Sequence, residues 1–534
     1  METSSSTPAQ RRRGRPQRLP FEPAPTAHAP FDVDCRLAWL LATSRLLSAT
    51  TGELPREQFL ERVRDQGVSI DASRISRWES GQLPATHKLI SAYESVIGLP
   101  DSTLWATSRL LHRSAGEDAR STSVRPDEAR TSEELDELFD RIEARTATGG
   151  HWLRMTSDLA HFERVYLHRT TWTTLCTQLV AELTRSSGIA FFRRYEAACA
   201  LLAHPQGGRH LARSLGRFVL HPDVQNVAPA ITLLREVSDQ AAGGLVLRLM
   251  SDQNKMLRRG ASGVAAAMVA RGRFPHGSVE LLEHHTGAAL RKRGAIARRT
   301  DAIDLATQLP EDSYDRVLAA IPEPRVRRRV EHARETMELV PRDLARAVSE
   351  AVATFAEAAT RRAAYDPDQM LRRLVRESLF HVQRERRHLA SVLVAVSPYG
   401  EHVARAILDL ASDADDLVAN MSWSVLRRMG HVLDRGRVVD ALSDEAREGI
   451  RARGLVTLGL TTGPLGEDAA EMMVATAKEG SSDALRHAAV FALGMTDHER
   501  LRVLATEEPE LARPVGWWRS LGPAIHDEDV REPA

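Results

Sequence analysis

Cysteine is scarce in this chain. Cys35, Cys176 and Cys199 are the only three in 534 residues, and no two of them form a CxxC pair. That spacing argues against a disulfide scaffold or a zinc ribbon and fits a reducing compartment. Neither sign of charge prevails, since 72 Lys and Arg stand against 72 Asp and Glu. The whole molecule is therefore no polybasic nucleic-acid coat, and any DNA binding has to come from local patches. No apolar run reaches membrane-spanning length, and Met1 to Pro30 holds no apolar core of the signal-peptide kind. A cytoplasmic protein without membrane contact is expected. The chain also lacks a P-loop, GxSxG, HExxH, and a GxGxxG after a strand-like run. No enzyme activity, cofactor or metal is expected from it.

Aromatic residues are few, at 5%, whereas Ala, Leu and Arg are abundant. This balance favours helices over sheets. Hydrophobic residues at 43% and charged residues at 27% are ordinary for a globular protein. The length allows more than one domain. The expected fold class is all-α.

The most informative stretch is Gly67 to Gly98. Asp71 can cap a short helix in which Ile75 and Trp78 share one face, while Ser73, Arg74, Ser76 and Arg77 point elsewhere. After the Gly-Gln-Leu-Pro break at 81–84, a second amphipathic helix runs from about Thr86 to Ile97 and stops at Gly98. An apolar keel with an outer edge of Ser and Arg suits insertion into a DNA major groove. The wording Ile75-Ser76-Arg77-Trp78-Glu79-Ser80-Gly81 resembles the recognition helix of the Cro/repressor-type (XRE) helix-turn-helix family. The resemblance covers roughly Leu37 to Arg113. It implies a five-helix reading domain with a core of Leu37, Leu40, Leu41, Leu47, Phe59, Leu60, Val63, Leu89, Ile90, Tyr93 and Ile97, closed by Leu104, Trp105 and Leu110. Ser73, Arg74, Ser76 and Arg77 would then face base edges, with Arg77 suited to bidentate recognition of guanine. Thr86, His87 and Lys88 would meet phosphates at the start of the following helix. Glu79 would be structural. One departure stands out: from Pro55 to Ile75 the chain is about five residues longer than the usual helix-turn-helix count. Either the preceding helix gains a turn or the connection at Gly67 is enlarged.

Around this stretch the composition changes. Residues 1–30 are rich in Ser, Thr, Pro and Arg and read as a disordered basic arm. Within it Arg11-Arg12-Arg13-Gly14-Arg15-Pro16 resembles an AT-hook core, which would lay Arg13 and Arg15 in a narrow minor groove. Residues 31–113 form the expected reading domain and 114–150 an acidic linker. From 151 to 523 similar segments recur about every 32 residues, within the range of helical solenoids. Leu257 to Ala270 and Leu485 to Gly494 resemble the second helix of a HEAT-like repeat. Longer helices such as Leu344 to Ala364 blur the register between about 301 and 369. Trp517 and Trp518 are expected to cap the last repeat, and 524–534 to form a disordered tail.

His284, His285, His381 and His388 lack the partners of a metal site, and Asp413, Asp415 and Asp416 lack EF-hand spacing. Basic clusters carry more interest: Arg291 to Arg293 with Arg298 and Arg299, Arg325 with Arg327 to Arg329, and Arg372, Arg373, Arg376 and Arg384. On one concave face they would track a phosphate backbone or hold an anionic ligand. The leading reading is a sequence-specific transcriptional regulator, nucleoid-associated, whose partner is double-stranded DNA. Its array would dimerise, or sense a protein or small molecule. The alternatives are a DNA-tethered interaction scaffold and a HEAT-like DNA glycosylase.

Overall fold

The structure is a computed structural model that describes residues 18–22, 30–116, 132–237, 240–292, 299–360, 366–413, 415–442 and 447–526. Among these residues every regular element is a helix, and the β pairings are isolated bridges such as Ser186 with Ile525. The N-terminal unit contains α1 (Val33–Leu47), α2 (Arg56–Asp65), α3 (Ala72–Trp78), α4 (His87–Ile97) and α5 (Thr103–Ser114). Their starts are chemically marked. Asp32 accepts from Cys35 N, Asp71 from Arg74 N, and Thr86 Oγ1 from Leu89 N. Each thereby satisfies an amide that the helix leaves unpaired. Gly98 ends α4 at φ +80°, in the left-handed region that favours glycine.

The surplus residues between Pro55 and Ile75 sit in the connection and not in the helix before it. The α2 helix stops at Asp65, Gly67 turns the chain at φ +77°, and Val68 and Ile70 drop into the core before Asp71 caps α3. Arg64 Nε donates to Ile70 O at 3.0 Å and pins the enlarged turn to α2.

The segment expected to be an acidic linker is partly structural. Within it α6 (Ser132–Glu143) buries Leu138 and Ile142 and packs on α7 (Gly149–Leu159), so the array's helices begin before His151. Next come α8 (Arg169–Arg185) and α9 (Gly188–Ala203). In the second half the helices starting at Arg384, Asp416, Glu448 and Asp483 hold the period read from the sequence, and each packs on the next. The long helix Arg342–Thr360 breaks the register where expected. Gly454 lies under Leu442 and Trp423, and Gly494 under Trp518, where an added Cβ would collide. Stacking buries a continuous apolar face that no single helix pair could bury alone.

One expectation is corrected, at the two chain ends. Glu22, in the expected arm, is buried, and it accepts from Arg36 Nε at 2.9 Å and pairs with Arg373 at 2.7 Å. In the expected tail, Ile525 N donates to Arg185 O at 2.9 Å and Ile525 O accepts from Ser187 N at 3.0 Å. Those bonds close the array on itself, joining its last residues to α8 and α9. Arg513 pairs with Asp223, and Trp517 lies 6.4 Å from the Phe218 ring. Trp518 is buried against Phe491, as a capping residue would be.

The N-terminal unit is docked on this body by buried ion pairs. Arg36 Nη2 donates to Glu377 at 2.8 Å, and Trp39 Nε1 to Asp368 at 2.9 Å. At the far end of the unit, Arg113 pairs with Glu196 at 2.6 Å and with Glu236 at 2.5 Å. Ser114 Oγ donates to Glu385 at 3.2 Å.

Candidate nucleic-acid interface

The α3 helix is held from beneath and free on top. Ile75 and Trp78 are buried, while Ser73, Arg74, Ser76 and Arg77 are exposed, the split expected from their spacing. What fixes the helix end is Glu79. Arg45 grips both its oxygens at 2.6 and 2.7 Å, and Tyr93 Oη donates to Oε1 at 2.9 Å. All three residues are buried. Burial, then the Glu79 charge, pushes the Tyr93 hydroxyl well above its ordinary range, so it stays a donor. Tyr93 also meets Phe59 edge-on at 5.1 Å, and Arg45 lies over the same ring. Glu79 therefore ties α1, α3 and α4 together, the structural role the sequence implied.

The exposed residues differ in how free they are. Arg77 and Ser73 make no side-chain hydrogen bond to any described residue, and the Arg77 carbonyl accepts from Gln82 N at 2.8 Å and Leu83 N at 3.2 Å. Ser76 is already engaged, because Arg56 Nη2 donates to its Oγ at 2.5 Å and to Ala72 O at 2.6 Å. Arg74 leans back on the turn through a 3.3 Å bond from Nη1 to Ser69 O. The Arg74 amide, chief among nearby groups, holds the exposed Asp71 carboxyl below its usual range. An anion therefore sits at the N-terminal end of α3.

The expected phosphate contacts divide in the same way. Thr86 is exposed, and its hydroxyl caps α4. His87 is half-buried and turned inward, its ring 4.3 Å edge-on from Trp105, so it points at the core and not at a phosphate. Lys88 is exposed, with its ammonium over the enlarged turn near Gly67. Arg13 and Arg15 lie outside the described residues. Sequence reasoning missed Arg56, whose position at the first turn of α2 carries no signature. Exposed Arg62 and Arg64 on the same helix widen the basic edge, with Glu57, Glu61 and Asp65 between them.

The basic clusters of the array resolve unevenly. Arg372 is paired with Glu357, Arg373 with Glu22 and Glu377, and Arg376 with Glu338, all part-buried. Arg299 pairs with Glu323, Arg327 donates to Ile321 O, and Arg329 to Leu339 O. These residues stitch helices and do not line a free groove, a correction to the concave-face expectation. Arg384, and the exposed Arg291, Lys292, Arg325 and Arg328, make no ion pair with a described residue, and Arg293 and Arg298 lie outside the described residues. His388 and His381 are set in the interior, their basicity lowered mainly by burial. Among the described residues no group of three or more His, Cys, Asp or Glu could hold a metal ion.

No known protein family and no curated protein matches this chain. Among solved structures it is similar at 12% identity to a chain from work on tubulin recruitment by microtubule polymerases with Tumor Overexpressed Gene domain arrays. That match covers 71% of this chain and 99% of the other, with a TM-score of 0.26. Kap121p is also similar, at 12% identity and TM-score 0.25, over 92% of this chain and 49% of that one. An engineered protein matches at 10% identity and TM-score 0.20, over 73% of this chain and 100% of its own. Scores of this size carry no argument, and the helical-repeat architecture rests on the stacking described above. No helix among the described residues is long and apolar enough to cross a membrane.

Proposed function

We propose that this chain binds duplex DNA through α3 as a sequence-selective transcriptional regulator, with the array as the body that docks partners or senses a ligand. One observation carries the reading: Arg77 and Ser73 stand free on a short helix whose opposite face is locked by Ile75, Trp78 and the Arg45–Glu79–Tyr93 triad. A rigid helix with an unengaged arginine suits a bidentate grip on guanine. Arg77→Ala is expected to relax preference at one base position at a cost of about 1–3 kcal/mol. Gel-shift competition with selected and scrambled duplexes measures this, and unchanged selectivity removes the role from Arg77.

A second reading is favoured by a different observation. The N-terminal unit is fastened to the array by Arg36 and Arg113, so reader and array move as one body. That suits a scaffold tethered to the chromosome. Genome-wide occupancy separates the two readings, since discrete promoter peaks with local expression changes support regulation and diffuse binding supports the scaffold. The glycosylase reading has least behind it. Aromatic residues, which such a site would need for holding a base, make up only 5% of the chain.

A further inference from the structure

The inner helices of the array bring together arginines that the sequence scatters across two hundred residues. Arg259 lies on the helix Lys255–Ala270, Arg384 opens Arg384–Val396, Arg427 and Arg428 end Asp416–Met429, and Arg453 lies on Glu448–Leu460. Local contacts fix their meeting. Arg259 Nε donates to Asp301 at 2.7 Å, and Arg384 N donates to Asp304 on the same short helix at 2.8 Å. The Arg384 guanidinium folds over Gly263, where a Cβ would stand 2.9 Å from Nη1, so a glycine makes its room. On the neighbouring pair, Arg453 Nη1 donates to Ser424 Oγ at 2.9 Å and Arg428 Nη1 to Ser424 O at 3.1 Å.

Charge in this well is unbalanced. Among the described residues no carboxylate forms an ion pair with Arg384, Arg427, Arg428 or Arg453, and Asp301 is held by Arg259. Burial pushes Asp304 up to about 6, so near neutral pH it still carries most of one negative charge, set against the several guanidiniums around it. Partial loss of surrounding water, then the nearby Arg384 and Arg259, lowers the basicity of the Arg427 guanidinium, which still reaches solvent. Arg453 falls to about 9, through burial first and Arg259 next. Both stay cationic at neutral pH but repel one another. The guanidiniums of this well reach solvent, with Arg259 and Arg427 exposed.

We propose that this inner well is a binding site for a compact polyanion, a small molecule bearing a di- or triphosphate, gripped by Arg259, Arg384, Arg427, Arg428 and Arg453. Guanidinium forks match phosphate oxygens in pairs, and converging positive charges call for a ligand with several negative charges in little volume. A long nucleic-acid strand needs a continuous basic track. The clusters at Arg372, Arg373 and Arg376 are neutralised by their own carboxylates, which interrupts such a track there. The site does not depend on α3 reading DNA.

Isothermal titration of the full chain tests it, with pyrophosphate, tripolyphosphate and nucleoside triphosphates as probes and orthophosphate and sulfate as controls. Di- and triphosphates are expected to bind at least roughly tenfold tighter than the controls, with each lost guanidinium weakening binding by about tenfold. Arg427→Ala and Arg453→Ala are the variants, and Arg453→Lys keeps the charge but not the fork. Because these arginines repel in the free protein, Arg427→Ala leaves its Tm unchanged or higher. A structural arginine lost would lower it. Equal affinity for tripolyphosphate and nucleoside triphosphate assigns the phosphate chain alone; tighter nucleotide binding adds the nucleoside. Absent heats, binding no tighter than sulfate (an adventitious ion only), or unchanged binding in the double variant overturns the proposal. So does random duplex DNA displacing tripolyphosphate through the same arginines.

Discussion

Single side chains decide how firmly α3 is presented. Glu79→Ala removes the carboxylate that Arg45 and Tyr93 share and takes a buried counter-charge away from Arg45. Breaking such a pair costs about 3–5 kcal/mol, more than any exposed ion pair. Urea unfolding followed by fluorescence should show that loss, and a cost near that of a surface pair would mean something else holds α3. Glu94 offers a second residue-level test. Buried in α4, it accepts from Ser102 N at 3.0 Å and Trp105 N at 2.9 Å, and burial pushes its carboxyl from 4.5 up to about 7. A carboxyl raised on folding stabilises most below its unfolded value and loses that contribution as pH rises through its folded one. Stability relative to Glu94→Gln should therefore fall between pH 4.5 and about 7, by about 1.4 kcal/mol per unit at the steepest. A pH-independent difference would show that Glu94 ionises normally.

At the level of elements, glycines report which helix contacts are tight. Gly188 opens α9 at φ +56°, and a Cβ there would meet His431 at 2.5 Å. Gly216 sits inside the helix Gly207–Val219 with nothing within 4 Å of its missing Cβ. Gly188→Ala should therefore destabilise by about 2 kcal/mol or more. Gly216→Ala should stabilise by about 0.5–1 kcal/mol, through helix propensity alone. Thermal melts of the two variants moving in the same direction would contradict the packing described here. Much at this scale was legible beforehand, because it is local. Asp71, Thr86 and Gly98 mark their helix ends within three or four residues, and Ile75 with Trp78 marks the buried side of α3. The surplus before Ile75 could be counted but not placed, since either an added turn or a longer connection satisfies the same count. The partners of Arg372, Arg373 and Arg376 were illegible for a related reason. A run of arginines looks the same whether its carboxylates stand fifteen residues away, as Glu357 does, or hundreds, as Glu22 does.

For the whole molecule, the buried ion pairs between the N-terminal unit and the array set the acid limit. Arg36, the leading attraction working against burial, holds the Glu377 carboxyl far below its usual range. Arg113 does the same for Glu236, at about 2. Carboxyls depressed on folding stabilise fully above about pH 4.5 and lose that contribution as pH falls through their folded values. His431, brought down to about 4 by burial, adds a loss of the same sign below its ordinary range. Acid should therefore loosen the docking of α1 and α5, read as faster hydrogen exchange in residues 33–47 and 103–114. Glu236→Gln should flatten the dependence of stability on pH between 4.5 and 2. An unchanged slope would remove Glu236 from the acid response.

The bonds between Ser187 and Ile525 also constrain the order in which the chain can be made. A ribosome releases α8 and α9 more than three hundred residues before their closing partner exists. An open repeat array can fold as it emerges and fray from either end, but here the early helices keep an uncovered edge until residue 525 has been made. Disrupting the segment around Ile525 would thus be felt first at α8 and α9, where nothing in the local sequence has changed.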